Sequence, residues 1–308
     1  MFDSIEEVSR EFKKQKYICS NEISTVIYLS EQMQKPILVE GSAGVGKTSI
    51  AGVWADAAGL EMIRMQCYEG LDESKALYEW EYAKQILYTQ ILKEKINEVL
   101  AGTASLQEAV DRIDKQDDAF FSDKFILPRP LLQAILSERK TVLLIDEVDK
   151  ADPEFEAFLL EILSDFQVSV PELGTLKAKH IPYVVLTSNN TREMTDALKR
   201  RCLHLFIDFP TSGQEMEIVQ LKVPGISETL ARQVVDVIQK VRKADLKKLP
   251  SISETLDWAR ALTILNVDSL DEETIKSTLN LFLKYEGDIK KVKGNLQSLL
   301  ATTDEKMN

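Results

Sequence analysis

Two histidines and three cysteines leave this sequence of 308 residues nearly without soft metal ligands. Cys19, Cys67 and Cys202 stand far apart and are odd in number, which suits reduced thiols rather than a disulfide framework. No Cys/His spacing matches a zinc site, so a structural metal is not expected. Long apolar runs are missing as well. None approaches the roughly 18 residues of a membrane span, and the opening MFDSIEEVSREFKKQK lacks the apolar centre of a secretory signal. A cytoplasmic protein without a membrane span is the expectation. Positive charge is also scarce: 38 Lys and Arg stand against 50 Asp and Glu, a net charge of −12. Neutralising phosphates along a nucleic acid needs a Lys/Arg surface, so broad nucleic-acid affinity is disfavoured. The basic runs Lys199-Arg200-Arg201 and Lys240-Val241-Arg242-Lys243 are of the kind that solvated helix faces carry.

What remains is a globular composition, 44% hydrophobic and 29% charged, long enough for one large domain or two smaller ones. Five short apolar runs read as buried parallel strands, because a strand covered on both faces loses its polar alternation. They are Pro36–Glu40, Glu61–Gln66, Thr141–Val148, Pro182–Ser188 and Leu203–Phe209. Helical patterns separate them, which predicts an α/β domain with a mainly parallel sheet over residues 1–210. From Gly213 only helices are expected: Gly213–Leu221, Ser227–Ala244, Ser253–Leu265, Asp271–Tyr285 and a weaker one near Lys290–Leu300. Residues 211–308 therefore read as an all-helical second domain, with a frayed tail at Ala301–Asn308. The run Ile-Ser-Glu-Thr-Leu occurs at Ile226–Leu230 and Ile252–Leu256, and in each place the serine can cap a helix. Two segments interrupt the strand–helix alternation. Tyr68–Gln133 is long and mostly helical in pattern, with a polar stretch at Ala101–Asp118, and Phe166–His180 reads as a β-hairpin around Pro171 and Gly174.

The sharpest motif is Gly41-Ser42-Ala43-Gly44-Val45-Gly46-Lys47-Thr48, followed by Ser49. Glycines let backbone N–H groups turn inward around phosphate oxygens, and a helix beginning at the same point adds its positive end. Lys47 would reach the β- and γ-phosphates of ATP, and Thr48 would hold magnesium. Chance produces this pattern in roughly one chain in a hundred of this length. Here it lies between an apolar strand and a plausible helix, Ser49–Ala58, which removes most of that chance. A second strand, Val142–Ile145, ends in Asp146-Glu147, at the strand end where open α/β sheets bind ligands. Asp146 would complete the magnesium shell and Glu147 would polarise the attacking water, so an ATPase is expected. A third strand ends at Asn189-Asn190, where an amide could orient that water; as an isolated feature it would be a turn former. Arg200 and Arg201 precede the last strand, and an arginine there could stabilise charge in a neighbouring subunit's site.

In this order, the P-loop, the Asp-Glu strand, the Thr-Ser-Asn strand, the arginine before the fifth strand and the helical lid resemble AAA+ ATPases. Within them the sequence looks like the MoxR family, in its CoxD-like branch. The residues that carry the likeness are Leu144–Asp152, Thr187–Arg192, Ala197–Leu203, Pro250–Arg260, Gln66–Asp72 and Tyr78–Trp80, in a match over residues 15–300. The resemblance implies an AAA+ core with a five-stranded parallel sheet of order 5-1-4-3-2 and a C-terminal helical lid. It also implies a helix-2 insert at about 68–120 and a pre-sensor-1 hairpin at about 166–180. A homo-oligomeric, usually hexameric ring follows from it, as does a chaperone-like task. Such proteins often work with a partner carrying a von Willebrand A domain, in the maturation or metal loading of a client complex. One departure is visible. Many AAA+ lids offer a sensor-2 arginine two residues after a serine in a helix's first turn; alignment on Ser253 puts Thr255 there. Arg260 lies five positions on, roughly 140° around the helix, and is only a weak candidate for binding the nucleotide. A clamp-loader-like nucleic-acid machine, suggested by Arg201-Cys202, and a nucleotide-gated switch with little turnover stand as alternatives.

Overall fold

The computed structural model of the chain describes residues 1–91, 93, 125–170 and 174–296. The elements in chain order begin with helices α1 (Ile5–Lys14) and α2 (Asn21–Met33), strand β1 (Ile37–Gly41), helix α3 (Lys47–Ala58) and strand β2 (Glu61–Gln66). Then come α4 (Glu73–Leu77), β3 (Tyr78–Trp80), α5 (Tyr82–Ile91), β4 (Ile126–Pro128), α6 (Pro130–Leu136) and β5 (Thr141–Asp146). Helix α7 (Pro153–Asp165), the strands β6 (Gln167–Val170), β7 (Gly174–Lys177) and β8 (Tyr183–Ser188), helix α8 (Asp196–Arg201) and strand β9 (Leu203–Ile207) complete the α/β part.

Strands β2, β5, β8, β1 and β9 form one parallel sheet in that order. Counting only these strands as one to five gives 5-1-4-3-2, the order that the resemblance implied. Every residue of β1, β5 and β8 is buried, which explains the unbroken apolar runs. Their side chains nevertheless alternate between two cores. Leu38, Leu143, Ile145, Val184 and Leu186 pack with α6, α7 and α8 on one face. Ile37, Val39, Val142, Leu144 and Val185 pack with Phe12, Ile27, Ile50 and Trp54 of α1, α2 and α3 on the other. Each fully buried Leu, Ile or Val contributes about 1.5–3 kcal/mol relative to exposure, so a charge at Leu144 would split this layer. The predicted strand from Thr141 stops at Asp146, not Val148, because Glu147 turns to a left-handed φ of 57°.

The segment from Tyr68 contains more than helices: β3 and β4 pair antiparallel, with Tyr78 opposite Pro128. The polar stretch 101–118 lies outside the described residues. Between α7 and β8, strands β6 and β7 pair antiparallel, with Val168 opposite Leu176.

After β9 the described residues contain helices only: α9 (Ser212–Lys222), α10 (Glu228–Val241), α11 (Ile252–Ile264), α12 (Glu272–Phe282) and α13 (Glu286–Gly294). They enclose their own core around Val234, Ile238, Trp258, Leu262 and Phe282. The part of the predicted last helix beyond 296, and the tail 301–308, lie outside the described residues. Ser227 caps α10 as expected, accepting from Leu230 N–H at 3.1 Å. For α11 the cap is Ser251 and not Ser253. Its backbone N–H and hydroxyl both donate to Glu254, the former at 2.9 Å, so a Ser-x-x-Glu pair starts the helix two residues early.

The basic run at 240–243 does not form a solvated face throughout. Arg242 is buried and forks onto the buried Glu215 of α9, at 2.6 and 2.7 Å. Its Nε donates to Pro250 O at 2.7 Å, which ties the end of α10 to the start of α11.

Candidate nucleotide-binding site

The loop from Gly41 to Gly46 leaves the carboxyl end of β1, which lies between β8 and β9. Gly41, at φ 149°, runs so close to β9 that a Cβ on it would lie 2.1 Å from Ile207 O. Gly44, at φ 77°, faces the other way: a Cβ there would lie 2.3 Å from Ser251 Oγ. The loop is thus pressed between the last strand and the first turn of α11, and only glycine fits both contacts. Lys47 opens α3 and is buried, with 5% of its surface exposed. Its ammonium donates to Gly41 O at 2.8 Å, Ser42 O at 2.7 Å and Asn189 Oδ1 at 2.8 Å. Burial lowers its pKa, against the opposing pull of Asp149, Asp146 and Glu147. A cation held this way is already desolvated, and its three carbonyl-type partners are ones that phosphate oxygens can replace.

Asp146 ends β5 and is buried. Its Oδ1 accepts from Thr48 Oγ1 at 3.0 Å and Thr187 Oγ1 at 2.6 Å. The Thr48 hydroxyl and the Asp146 carboxylate are adjacent hard oxygen donors beside the phosphate loop. That donor set fits magnesium, which takes one or two protein oxygens and completes its shell with phosphates and water. Among the described residues no three His, Cys, Asp or Glu side chains gather as an all-protein metal cage.

Glu147 follows, in its left-handed turn. Its carboxylate accepts from Asn189 Nδ2 at 3.2 Å and Gln66 Nε2 at 2.7 Å, and pairs with Lys150 at 2.6 Å. Its backbone N–H donates to Thr187 Oγ1 at 2.9 Å, so one threonine hydroxyl fixes both acids. Asn189 is in turn set by Asp149, whose Oδ2 accepts from the backbone N–H groups of Asn189 (3.2 Å) and Thr191 (3.0 Å) and from the Thr191 hydroxyl (2.6 Å). Burial pushes the Asp149 pKa up, but these bonds outweigh it and the net shift is downward.

Lys47, Thr48, Asp146, Glu147 and Asn189 therefore meet at the carboxyl ends of three neighbouring strands. The arginines do not. Leu203 pairs with Ile37 and its N–H donates to Pro36 O, so Arg200 and Arg201 lie at the opposite end of the sheet, about 13 Å of strand from Gly41. Both are exposed, with no hydrogen bond or ion pair among the described residues. Arg260 is also apart: it is half exposed on α11 and pairs with Asp257 at 3.3 Å. Thr255, at the expected sensor position, is buried and donates to Glu215 at 2.8 Å inside the lid. What faces Gly44 of the loop is the start of α11: its cap Ser251, with Ser253 Oγ 3.7 Å from the same Cβ position.

Sequence reading missed Arg64 and Gln66. Arg64 donates to Asp146 Oδ2 at 2.6 Å, and Gln66 lies opposite Asp146 in the β2–β5 register. The available signal was a pair of polar residues two apart on a strand otherwise apolar at Ile63 and Met65.

The family described as AAA domain (dynein-related subfamily) matches residues 36–202. A comparison with curated proteins finds no match. Among solved structures, a point mutant of RuvB from Thermotoga maritima is 15% identical with a TM-score of 0.49, over 97% of this chain and 78% of that one. The Thermotoga maritima RuvB Holliday junction branch migration motor is 15% identical with a TM-score of 0.46, over 94% and 76%. The family match takes in β1, the loop with its lysine, both acids and Asn189, and extends over more than half of the chain. This chain belongs to the AAA domain family, dynein-related subfamily.

Proposed function

We propose that this chain is a magnesium-dependent ATP phosphohydrolase of the MoxR type, built as a homo-oligomeric ring that remodels a client complex. The observation that supports the ATPase part is the hydrogen-bonded chain Lys47–Asn189–Glu147 beside a glycine loop, with Asp146 held by Thr48 and Thr187. Backbone N–H groups from Gly41 to Ser49 would surround the phosphates and Lys47 would neutralise them. Magnesium, when bound at Thr48 and Asp146, would supply charge neutralisation between phosphate oxygens. Glu147 would hold and polarise a water, and Asn189 would align it. Arg201, with Arg200 beside it, lies too far along the sheet for its own site and is assigned to the neighbour's.

The client side of the proposal rests on the resemblance. Residues 1–210 would be the nucleotide-binding domain and 211–308 the lid. The insert at about 68–120 and the β6–β7 hairpin would meet the client. A von Willebrand A domain protein is the proposed partner, and metal-cofactor maturation of an enzyme complex the proposed task. Steady-state ATPase measured across protein concentration tests the catalytic core. Activity per chain should rise on assembly and vanish in Lys47→Ala; a Lys47→Ala chain that still turns over ATP would remove the assignment.

A further inference from the structure

Asp146 has a partner on each oxygen, and the two partners differ in kind. Oδ1 is held by neutral hydroxyls, whereas Oδ2 faces the Arg64 guanidinium at 2.6 Å. Only 4% of the Asp146 side chain is exposed, and Arg64 is the cation in direct contact with it, Lys47 acting on it without a direct bond. Arg64 itself is 51% exposed and stands on β2, one of the two edge strands of the sheet. It can leave for water at little cost, unlike the enclosed Lys47. Gln66 Oε1 accepts from the same Arg64 nitrogen at 3.0 Å, which gives the guanidinium a second resting place on its own strand.

We propose that Arg64 is a positioning residue that stands in for magnesium at Asp146 when no nucleotide is bound, and that the metal–nucleotide complex must displace it. This rests on the reading of Asp146 as the metal carboxylate. A monovalent arginine on Oδ2 and a divalent metal beside Thr48 at Oδ1 share one carboxylate, and their mutual repulsion across it weakens the hold of each. Arg64 thereby sets how much free magnesium the site demands, and it keeps the buried carboxylate aimed at the loop between turnovers.

The test is a titration of a fluorescent, slowly hydrolysed ATP analogue at a series of free magnesium concentrations, with wild type, Arg64→Gln and Arg64→Lys. Arg64→Gln should lower the half-saturating magnesium about five- to tenfold, with unchanged affinity at saturating magnesium. Arg64→Lys keeps the charge and should return the half-point toward wild type. An unmoved half-point in Arg64→Gln overturns the proposal, as does a lysine variant that behaves like the glutamine one. Weaker binding of the analogue by Arg64→Gln at saturating magnesium would also overturn it, because Arg64 would then hold phosphate. If wild type bound no analogue at any magnesium concentration, the nucleotide site itself would be refuted, a result distinct from the other three.

Discussion

The side chain of Asn189 joins Lys47 to Glu147, accepting from the ammonium at 2.8 Å through Oδ1 and donating to the carboxylate at 3.2 Å through Nδ2. Its orientation is dictated by these two charges, since a flipped amide would set NH2 against the ammonium. Asn189→Ala removes the link while Lys47 keeps its bonds to Gly41 O and Ser42 O. ATP affinity should stay within a few-fold of wild type while kcat falls at least about tenfold, a loss typical of one positioned polar group. Fluorescent nucleotide binding and steady-state turnover measure the two quantities separately. Equal losses in both would make Asn189 a binding residue.

Glu147 is held by Gln66, Lys150 and Asn189. Replacement by glutamine keeps the shape and removes the charge that would attract a water proton. Glu147→Gln should therefore bind ATP normally and turn it over about a hundredfold more slowly or worse. Single-turnover measurement with excess enzyme isolates the chemical step. Turnover at the wild-type rate would mean that the water is activated by another group.

Arg200 and Arg201 have no ion pair among the described residues and stand at the sheet end remote from Gly41. An exposed arginine with that placement is out of reach of its own chain's site: under the proposed ring it would serve a neighbour's, and otherwise it is a surface basic cluster. Arg201→Ala, mixed with wild type at rising proportion, should depress ATPase more steeply than simple dilution, by about a hundredfold or more when homogeneous. A fully active Arg201→Ala homo-oligomer would exclude the role.

The legible parts of the fold are those whose chemistry is local in sequence. β1, β5 and β8 showed as apolar runs because both faces are buried, and the glycine loop declared itself because its backbone needs no distant residue to cradle phosphate. Arg64 and Arg242 were illegible for the opposite reason: each owes its role to a carboxylate far along the chain, Asp146 and Glu215. On a strand edge or in a basic run, such arginines look like solvated charge. The short β3–β4 pair escaped notice because its strands lie on either side of the long segment 81–125. The early start of α11 was legible after all, in Ser251 and Glu254, but the repeated Ile-Ser-Glu-Thr-Leu drew the cap to Ser253.

The lid meets the phosphate loop through Ser251, and a buried ion pair fixes where that serine stands. Arg242 spans from Glu215 to Pro250 O, the residue before Ser251, while Glu215 also accepts from Gln239 Nε2 at 2.7 Å and Thr255 at 2.8 Å. Glu215 is fully buried, so a single substitution leaves a charge without its counterpart. Arg242→Met or Glu215→Gln should each destabilise the lid by about 3–5 kcal/mol, whereas exchanging both for apolar residues should cost much less than the sum. Denaturant unfolding followed by the fluorescence of Trp258, in the lid core, in a background with Trp54 and Trp80 replaced by phenylalanine, gives these values. The single variants should also weaken nucleotide binding, because the first turn of α11 loses its anchor beside Gly44. Single variants within 1 kcal/mol of wild type would show that the pair is as dispensable as a surface one, and that the contact between Ser251 and the loop is held by packing alone.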